Sequence, residues 1–276
     1  MTNIGIMQGR LSLPTDGKFQ SFPKYTWEEE FYKAKKCGLK SIEWIFEADE
    51  HDKNPLSSDE GIKKIKKVCS ETEVIIESVC ADYFMDIPYF NSSKEDKINL
   101  QNKLKWLIRQ AAKINVRYID LPFVDASSIG GPENFDQVIE FVTPAIDVAE
   151  NHNIIIALET DLNPKDFKDL LKHFNHQNLR ANYDTGNSSG IGYDSKEELS
   201  AYGNFISTVH IKDRLLNNGT MPLGTGSANF EIFFTELSKL DYHGPIILQA
   251  AREKDEEKTA IANCEFVKDY LNRYNI

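Results

Sequence analysis

The sequence predicts an α/β protein, a single (β/α)8 barrel over residues 1–276. Three observations carry that expectation. Eight short apolar runs rich in Ile and Val alternate with longer amphipathic stretches, and runs so brief suit parallel strands buried on both faces. No linker or low-complexity segment interrupts the alternation. The length also suits eight strand–helix units in one domain. A doubly wound open sheet is the rival, but it usually carries a glycine-rich phosphate turn after an early strand, and "IGIMQGRLS" lacks the G-x-G-x-x-G spacing.

Taken in order, the strand candidates are "NIGIM", "SIEWIF", "VIIESV", "VRYIDLPF", "NIIIALE", "LRANYD", "FISTVHI" and "PIILQ". Helical patterns lie between them, such as "TWEEEFYKAKKCG", "SSDEGIKKIKKVCSE", "KEDKINLQNKLKWLIRQAAKI" and "PENFDQVIEFVTPAIDVAENH". Ser57 or Ser58 caps a first turn that holds Asp59 and Glu60, Pro132 precedes Glu133 at another start, and Gly38 follows Cys37 at an end. Long loops at 8–25, 46–57 and 80–92 would cover the C-terminal mouth, where barrels place their chemistry.

Composition excludes several classes. Hydrophobic residues make up 41% and charged residues 27%, ordinary for a globular protein with a buried core. A net charge of −11 disfavours nucleic-acid and anionic-membrane binding, which need a basic face, but leaves room for a small anionic substrate. Cys37, Cys69, Cys80 and Cys264 form no C-x-x-C pair. The start "MTNIGIMQGRLS" lacks a basic segment leading into a long apolar one, so a reduced, cytoplasmic protein without membrane partners is expected.

In a barrel, Glu159, Asp184, His210 and Gln249 fall at the last positions of strands five to eight and converge on one rim. Two carboxylates, an imidazole and an amide carbonyl suit a divalent ion such as Mn²⁺, Mg²⁺, Co²⁺ or Zn²⁺ with positions left open for substrate. Each residue alone has a plainer explanation: Glu159 as a rim or capping acid, Asp184 as the start of an Asx turn, His210 as a core histidine. Their recurrence on consecutive strands favours the joint site.

The tracts "ALETD", "NYDTGN", "TVHIKDR", "PLGTGSANFEIFFTEL" and "GPIILQAARE" resemble the second half of xylose isomerase-like TIM barrels, and "IGIMQGRL" and "GLKSIEWIFE" fit the first two strands more weakly. Within that superfamily the chain is most similar to sugar and sugar-phosphate isomerases and epimerases, including pentulose-5-phosphate 3-epimerases and hydroxypyruvate isomerases. The resemblance implies a metal held by Glu, Asp, His and a second Glu, which fall on Glu159, Asp184, His210 and Gln249. The fourth departs from the pattern, and Asn187 stands where many relatives carry a His.

The resemblance also implies that Glu159 removes a proton beside a carbonyl through an enediolate. Gln249 occupies the place of the second catalytic glutamate, yet an amide is no acid or base. Glu159 alone suffices for a one-base aldose–ketose shift, which is favoured over two-base epimerisation unless Glu253 or Glu43 supplies a substitute acid. The substrate is expected to be a small sugar or sugar phosphate, and the chain a possible homodimer.

Further substrate-binding candidates are Gln8 and Arg10 after strand one, Glu43 and Glu47 near the end of strand two, and Asn187, Lys212 and Arg214. Helix capping or surface ion pairs would equally explain the charged ones. The "LGTG" at 223–226 offers backbone amides to an anion, and Trp44 and Phe84 fit either a pocket wall or core packing. Competing functions are a catalytically impaired carbohydrate-binding barrel, a dehydratase or lyase of the same superfamily, and phosphodiester hydrolysis. The last needs more histidines near the mouth than His51, His152, His173, His176, His210 and His243 supply.

Overall fold

Every apolar run becomes a strand because it is too short for a helix and its neighbours supply the helical layer. The computed structural model describes residues 3–14, 17–90 and 92–276; residues 15 and 16 of the first expected loop and 91 of the third lie outside the described residues. In chain order the elements are β1 (Ile4–Met7), α1 (Trp27–Lys36), β2 (Ser41–Ile45), α2 (Asp59–Thr72), β3 (Ile75–Cys80), the one-turn α3 (Tyr83–Asp86), α4 (Lys94–Ala112) and β4 (Tyr118–Phe123). They continue as α5 (Phe135–Asn151), β5 (Ile155–Thr160), α6 (Pro164–Phe174), β6 (Leu179–Asp184), α7 (Thr185–Ile191), α8 (Ser195–Tyr202), β7 (Ile206–Ile211), α9 (Phe230–Leu237), β8 (Ile246–Leu248) and α10 (Glu256–Tyr274).

The eight strands close into one parallel barrel, in which β1 pairs with both β2 and β8. A two-residue antiparallel hairpin, Asp213–Arg214 with Thr220–Met221, stands on the mouth after β7. Closure at the β1 seam depends on Gly5, where a Cβ would collide with Ser41 Oγ and reach Ile247 Cδ1 at 2.8 Å. The helices bury one stripe each: Ile62, Ile65 and Val68 on α2, Leu100, Leu104 and Leu107 on α4. Ser58 caps α2 through Gly61 N at 3.0 Å, and Gly38 takes φ +74° after α1. No helix among the described residues is long and apolar enough to cross a membrane.

The register shifts twice among the barrel pairings, between Ile42 and Glu43 in β2 and between Ala181 and Asn182 in β6. In each the extra residue lies on the partner strand, Glu77 of β3 and Ser207 of β7. Glu43 and Asn182 both end up against the same imidazole, His210.

Candidate active site

Strand alternation decides what faces the barrel interior. On β2, Glu43 points inward while Trp44 points to the helical layer, where it packs on Trp27 at 5.4 Å and donates to Asn54 at 3.0 Å. Trp44 is therefore core packing, and so is Phe84, which packs edge-on against Tyr83 and tilted against Phe141.

The expected rim residues sit at slightly different heights. Asp184 is the last residue of β6, Glu159 and His210 are next to last in β5 and β7, and β8 stops at Leu248. Gln249 thus stands one residue past its strand: its backbone N–H still donates to Ile211 O at 3.0 Å, but the chain then turns away, with Ala250 O held by Arg10.

His210 is fully buried at the centre of four carboxyl groups. Its Nε2 is 2.8 Å from Glu43 Oε2, while its Nδ1 faces Glu159 Oε2 at 3.5 Å and Asp184 Oδ2 at 3.9 Å. Asp120, in the middle of β4, completes a tight Asp120–Glu159–His210 group whose ligand atoms lie within 4.8 Å of one another. Sequence reasoning passed over Asp120, although an acid inside an otherwise apolar strand was a visible signal. Asp120 pairs in register with Ala157, two residues below Glu159, so it lies a layer deeper than the rim.

Charges this close shift one another. Burial lowers the imidazole's affinity for a proton, but Glu43 and Glu159 outweigh it and hold His210 well above its usual pKa. Burial works against the Glu159 carboxylate too, yet His210 and Lys212 hold it below the usual carboxylate range. Burial pushes Asp184 up, with Lys212 opposing, and pushes Asp120 well up, with Glu159 adding to it.

Asp184 serves two purposes at once. Its Oδ1 caps α7 by accepting from Gly186 N and Asn187 N, both at 2.8 Å, whereas its Oδ2 is buried without a hydrogen-bond partner among the described residues. Gln249 Oε1 is orphaned in the same way. Buried acceptors without hydrogen bonds are costly; the Asp184 oxygen, 3.9 Å from His210 Nδ1 and 3.5 Å from Lys212 Nζ, fits a divalent ion, with Gln249 on the wall of the cavity that Glu159 also lines. Asn182 donates to Glu159 Oε2 at 3.0 Å and fixes that carboxylate from below.

Asn187 bridges the rim to the mouth. Its Nδ2 donates to Glu159 Oε1, and its Oδ1 accepts from Lys212 Nζ at 3.1 Å and Arg214 Nη1 at 3.2 Å. Gly186 makes this possible, since a Cβ there would press on Lys212 Cγ at 2.5 Å. Above them opens a cavity of about 250 Å³ lined by Glu159, Asn187, Lys212, Arg214 and Gln249 on one side of the ring of strands, and by Gln20, Cys80 and Asp82 from the first and third loops.

Other candidates lie elsewhere. Gln8 does not line the cavity; its Oε1 accepts from Ile45 N at 3.0 Å. The Arg10 guanidinium donates to Ala250 O (3.1 Å), Phe19 O (3.2 Å) and Gln20 Oε1 (3.1 Å), so it clasps the loop that forms the cavity wall and does not itself line the cavity. Glu47 accepts from Phe22 N at 3.0 Å. Glu253 is exposed and outside the cavity, and Glu43 lies beneath His210. The "LGTG" amides are already taken: Gly224 N and Gly226 N donate to Asp213 Oδ2 at 2.9 and 2.8 Å. Of the six histidines, only His210 belongs to the cluster.

A closed parallel barrel with acids, an imidazole and an amide around one mouth is the layout of a barrel enzyme. The chain belongs to the xylose isomerase-like TIM barrel family, whose sequence profile matches residues 31–270. Among curated proteins it is similar to a putative L-ribulose-5-phosphate 3-epimerase, SgbU, of Haemophilus influenzae, 25% identical over 86% of this chain and 88% of the relative. It is 24% identical to the L-ribulose-5-phosphate 3-epimerase UlaE of Escherichia coli over 85% of each chain. It is an enzyme of the isomerase and epimerase class. Its fold is shared with the zinc-bound IolI protein (TM-score 0.77, 16% identity, 99% of each chain). D-psicose 3-epimerase from Clostridium cellulolyticum has the same fold (TM-score 0.77, 15% identity, 98% of this chain and 99% of that one).

Proposed function

We propose that residues 1–276 act as one domain that interconverts small sugars or sugar phosphates by moving a proton on the carbon beside a carbonyl, with Glu159 as the base. One observation carries the reading: the Glu159 carboxylate belongs both to the wall of the open cavity and to the buried His210 cluster. It is held ionised, oriented by Asn182 and Asn187, and in reach of a substrate in the cavity.

Glu159, Asp184, His210 and Gln249 would hold a divalent ion (Mn²⁺, Mg²⁺, Co²⁺ or Zn²⁺), which when bound supplies positive charge to oxygens that become anionic as the carbon loses its proton. Glu43 sits behind the imidazole, 2.8 Å from Nε2, and orients the ring so that Nδ1, which lies 3.1 Å from Asn182 Nδ2, faces Glu159 and Asp184. Lys212 and Arg214, gathered by Asn187, present two cations to the cavity and fit a phosphate or the polarised oxygens of an open-chain sugar. The names of the curated relatives support a phosphorylated pentulose and a change of configuration at C3.

The test is solvent exchange. Incubated with Mn²⁺ in D₂O, the protein should place deuterium beside the carbonyl of L-ribulose 5-phosphate or D-tagatose, and Glu159→Gln should slow this by about 10²–10⁴-fold. Equal exchange by Glu159→Gln would remove that residue from the chemistry, and none by the parent protein on either sugar would sink the reading.

A further inference from the structure

Gln249 leaves a two-base reaction one acid short, and the cavity wall holds a carboxyl able to take its place. We propose that Asp82, in the loop after β3, is the second proton-transferring residue of this site, returning a proton to the carbon that Glu159 has deprotonated. This rests on the reading of Glu159 above.

Position is the first support. Asp82 lines the same cavity as Glu159 and Gln249. Connection is the second. Gln249 Nε2 donates to Gln20 Oε1 at 3.0 Å, and Gln20 Nε2 donates to Asp82 Oδ2 at 2.9 Å, so one bridging amide separates position 249 from a carboxyl group. The bridge is itself anchored, because Arg10 donates to the same Gln20 Oε1. The other Asp82 oxygen, Oδ1, accepts from Cys80 Sγ at 3.1 Å, and Asp82 is only 7% exposed, so the carboxyl is held rather than free to swing.

Elimination is the third support. Glu43 is beneath the imidazole, Glu253 is outside the cavity, and Asp125 lines it but is exposed to solvent. Burial also pushes Asp82 up to about 6, against the pull of Gln20 and Cys80, so it carries a proton for a useful fraction of the time near neutral pH. The other charges it feels are Asp86 and Glu159, and Arg10 feels it in turn.

The step balances without any oxidant or further reactant. Glu159 takes the proton as the C–H bond breaks, and the electron pair spreads onto the neighbouring oxygen as an enediolate. The Asp82 O–H then breaks and a C–H bond forms on the other face of the same carbon. Asp82 is left as carboxylate and Glu159 as acid, and both exchange protons with water before the next turnover. The product is the epimer, so the site works by two groups instead of one.

The experiment separates this role from the function on which it rests. With Mn²⁺ and L-ribulose 5-phosphate or D-tagatose in D₂O, the parent protein should form the C3 epimer. Asp82→Asn should form it about 100-fold more slowly, yet still place deuterium in recovered starting sugar, because Glu159 can return a solvent-derived proton to its own face. The double variant Asp82→Asn with Gln249→Glu should regain epimer formation, which also shows that the Asp82→Asn chain folds. Epimer formation by Asp82→Asn at the parental rate overturns the proposal, and so does loss of epimer and exchange together without rescue. Absence of exchange by the parent protein overturns the functional reading first, and the role of Asp82 with it.

Discussion

Glu43 Oε2 lies 2.8 Å from His210 Nε2, and both side chains are wholly buried. The contact puts a carboxylate behind the imidazole on the side away from the cavity. A partner of this kind orients a metal-binding histidine and raises its basicity. Glu43→Gln should therefore weaken Mn²⁺ binding by about 10–100-fold, read by calorimetric titration of chelator-treated protein. Unchanged affinity would mean that His210 is not a ligand.

Gln249 contributes a neutral oxygen where a carboxylate would add charge. Gln249→Glu should tighten Mn²⁺ binding by roughly tenfold or more, since one added charge about 4 Å from a divalent ion is worth about 2 kcal/mol even at the dielectric of bulk water. Calorimetry with the parent protein as reference decides it, and equal affinity would place Gln249 outside the coordination sphere.

Arg10 reaches three acceptors with one planar group. A lysine ammonium has no fork to span them. Arg10→Lys should cost about 1–3 kcal/mol of stability in urea unfolding, and should slow epimer formation more than deuterium exchange into the starting sugar, because the Gln20 bridge that holds Asp82 loosens while Glu159 stays in place. Equal slowing of both would contradict this.

Glu30 is buried and accepts from Gly9 N at 2.9 Å and Leu11 N at 3.0 Å. Burial pushes its pKa from 4.5 up to about 7, so the folded state holds the proton more tightly than the unfolded chain. The stability this lends is fully present below about pH 4.5 and lost as pH rises through about 7, an effect of roughly 3 kcal/mol. Glu30→Gln should flatten that part of the pH–stability curve in urea titrations, and at low pH should be less stable by about 1–3 kcal/mol because one amide loses its acceptor. An unaltered slope would assign the pH dependence elsewhere.

Much of this was legible in the chain because strands and helices advertise themselves through apolar period and caps. All eight strands fall on the runs that "NIGIM" to "PIILQ" mark, and Ser58 caps the helix its position suggests. Three of the four expected metal residues gather because strand ends must converge in a closed barrel. What stayed hidden depends on register and on loops. The alternation of β2 hints that Glu43 and Trp44 face opposite ways, but which imidazole Glu43 meets across the barrel has no signature in composition. Asp82 and Gln20 come together across 62 positions, joined by a hydrogen bond between two loops. Arg10 looked like an anion binder because its acceptors, Phe19 O and Ala250 O, are backbone atoms of distant segments.

Arg10 to Ala250, Gln249 to Gln20, and Arg252 to Ser12 O at 2.8 Å all stitch the opening residues to nearly the last thirty. A nascent chain still missing β8 would therefore lack a finished entrance, however well its earlier strands had paired. The mouth is finished only once the segment after β8 has met the loop after β1.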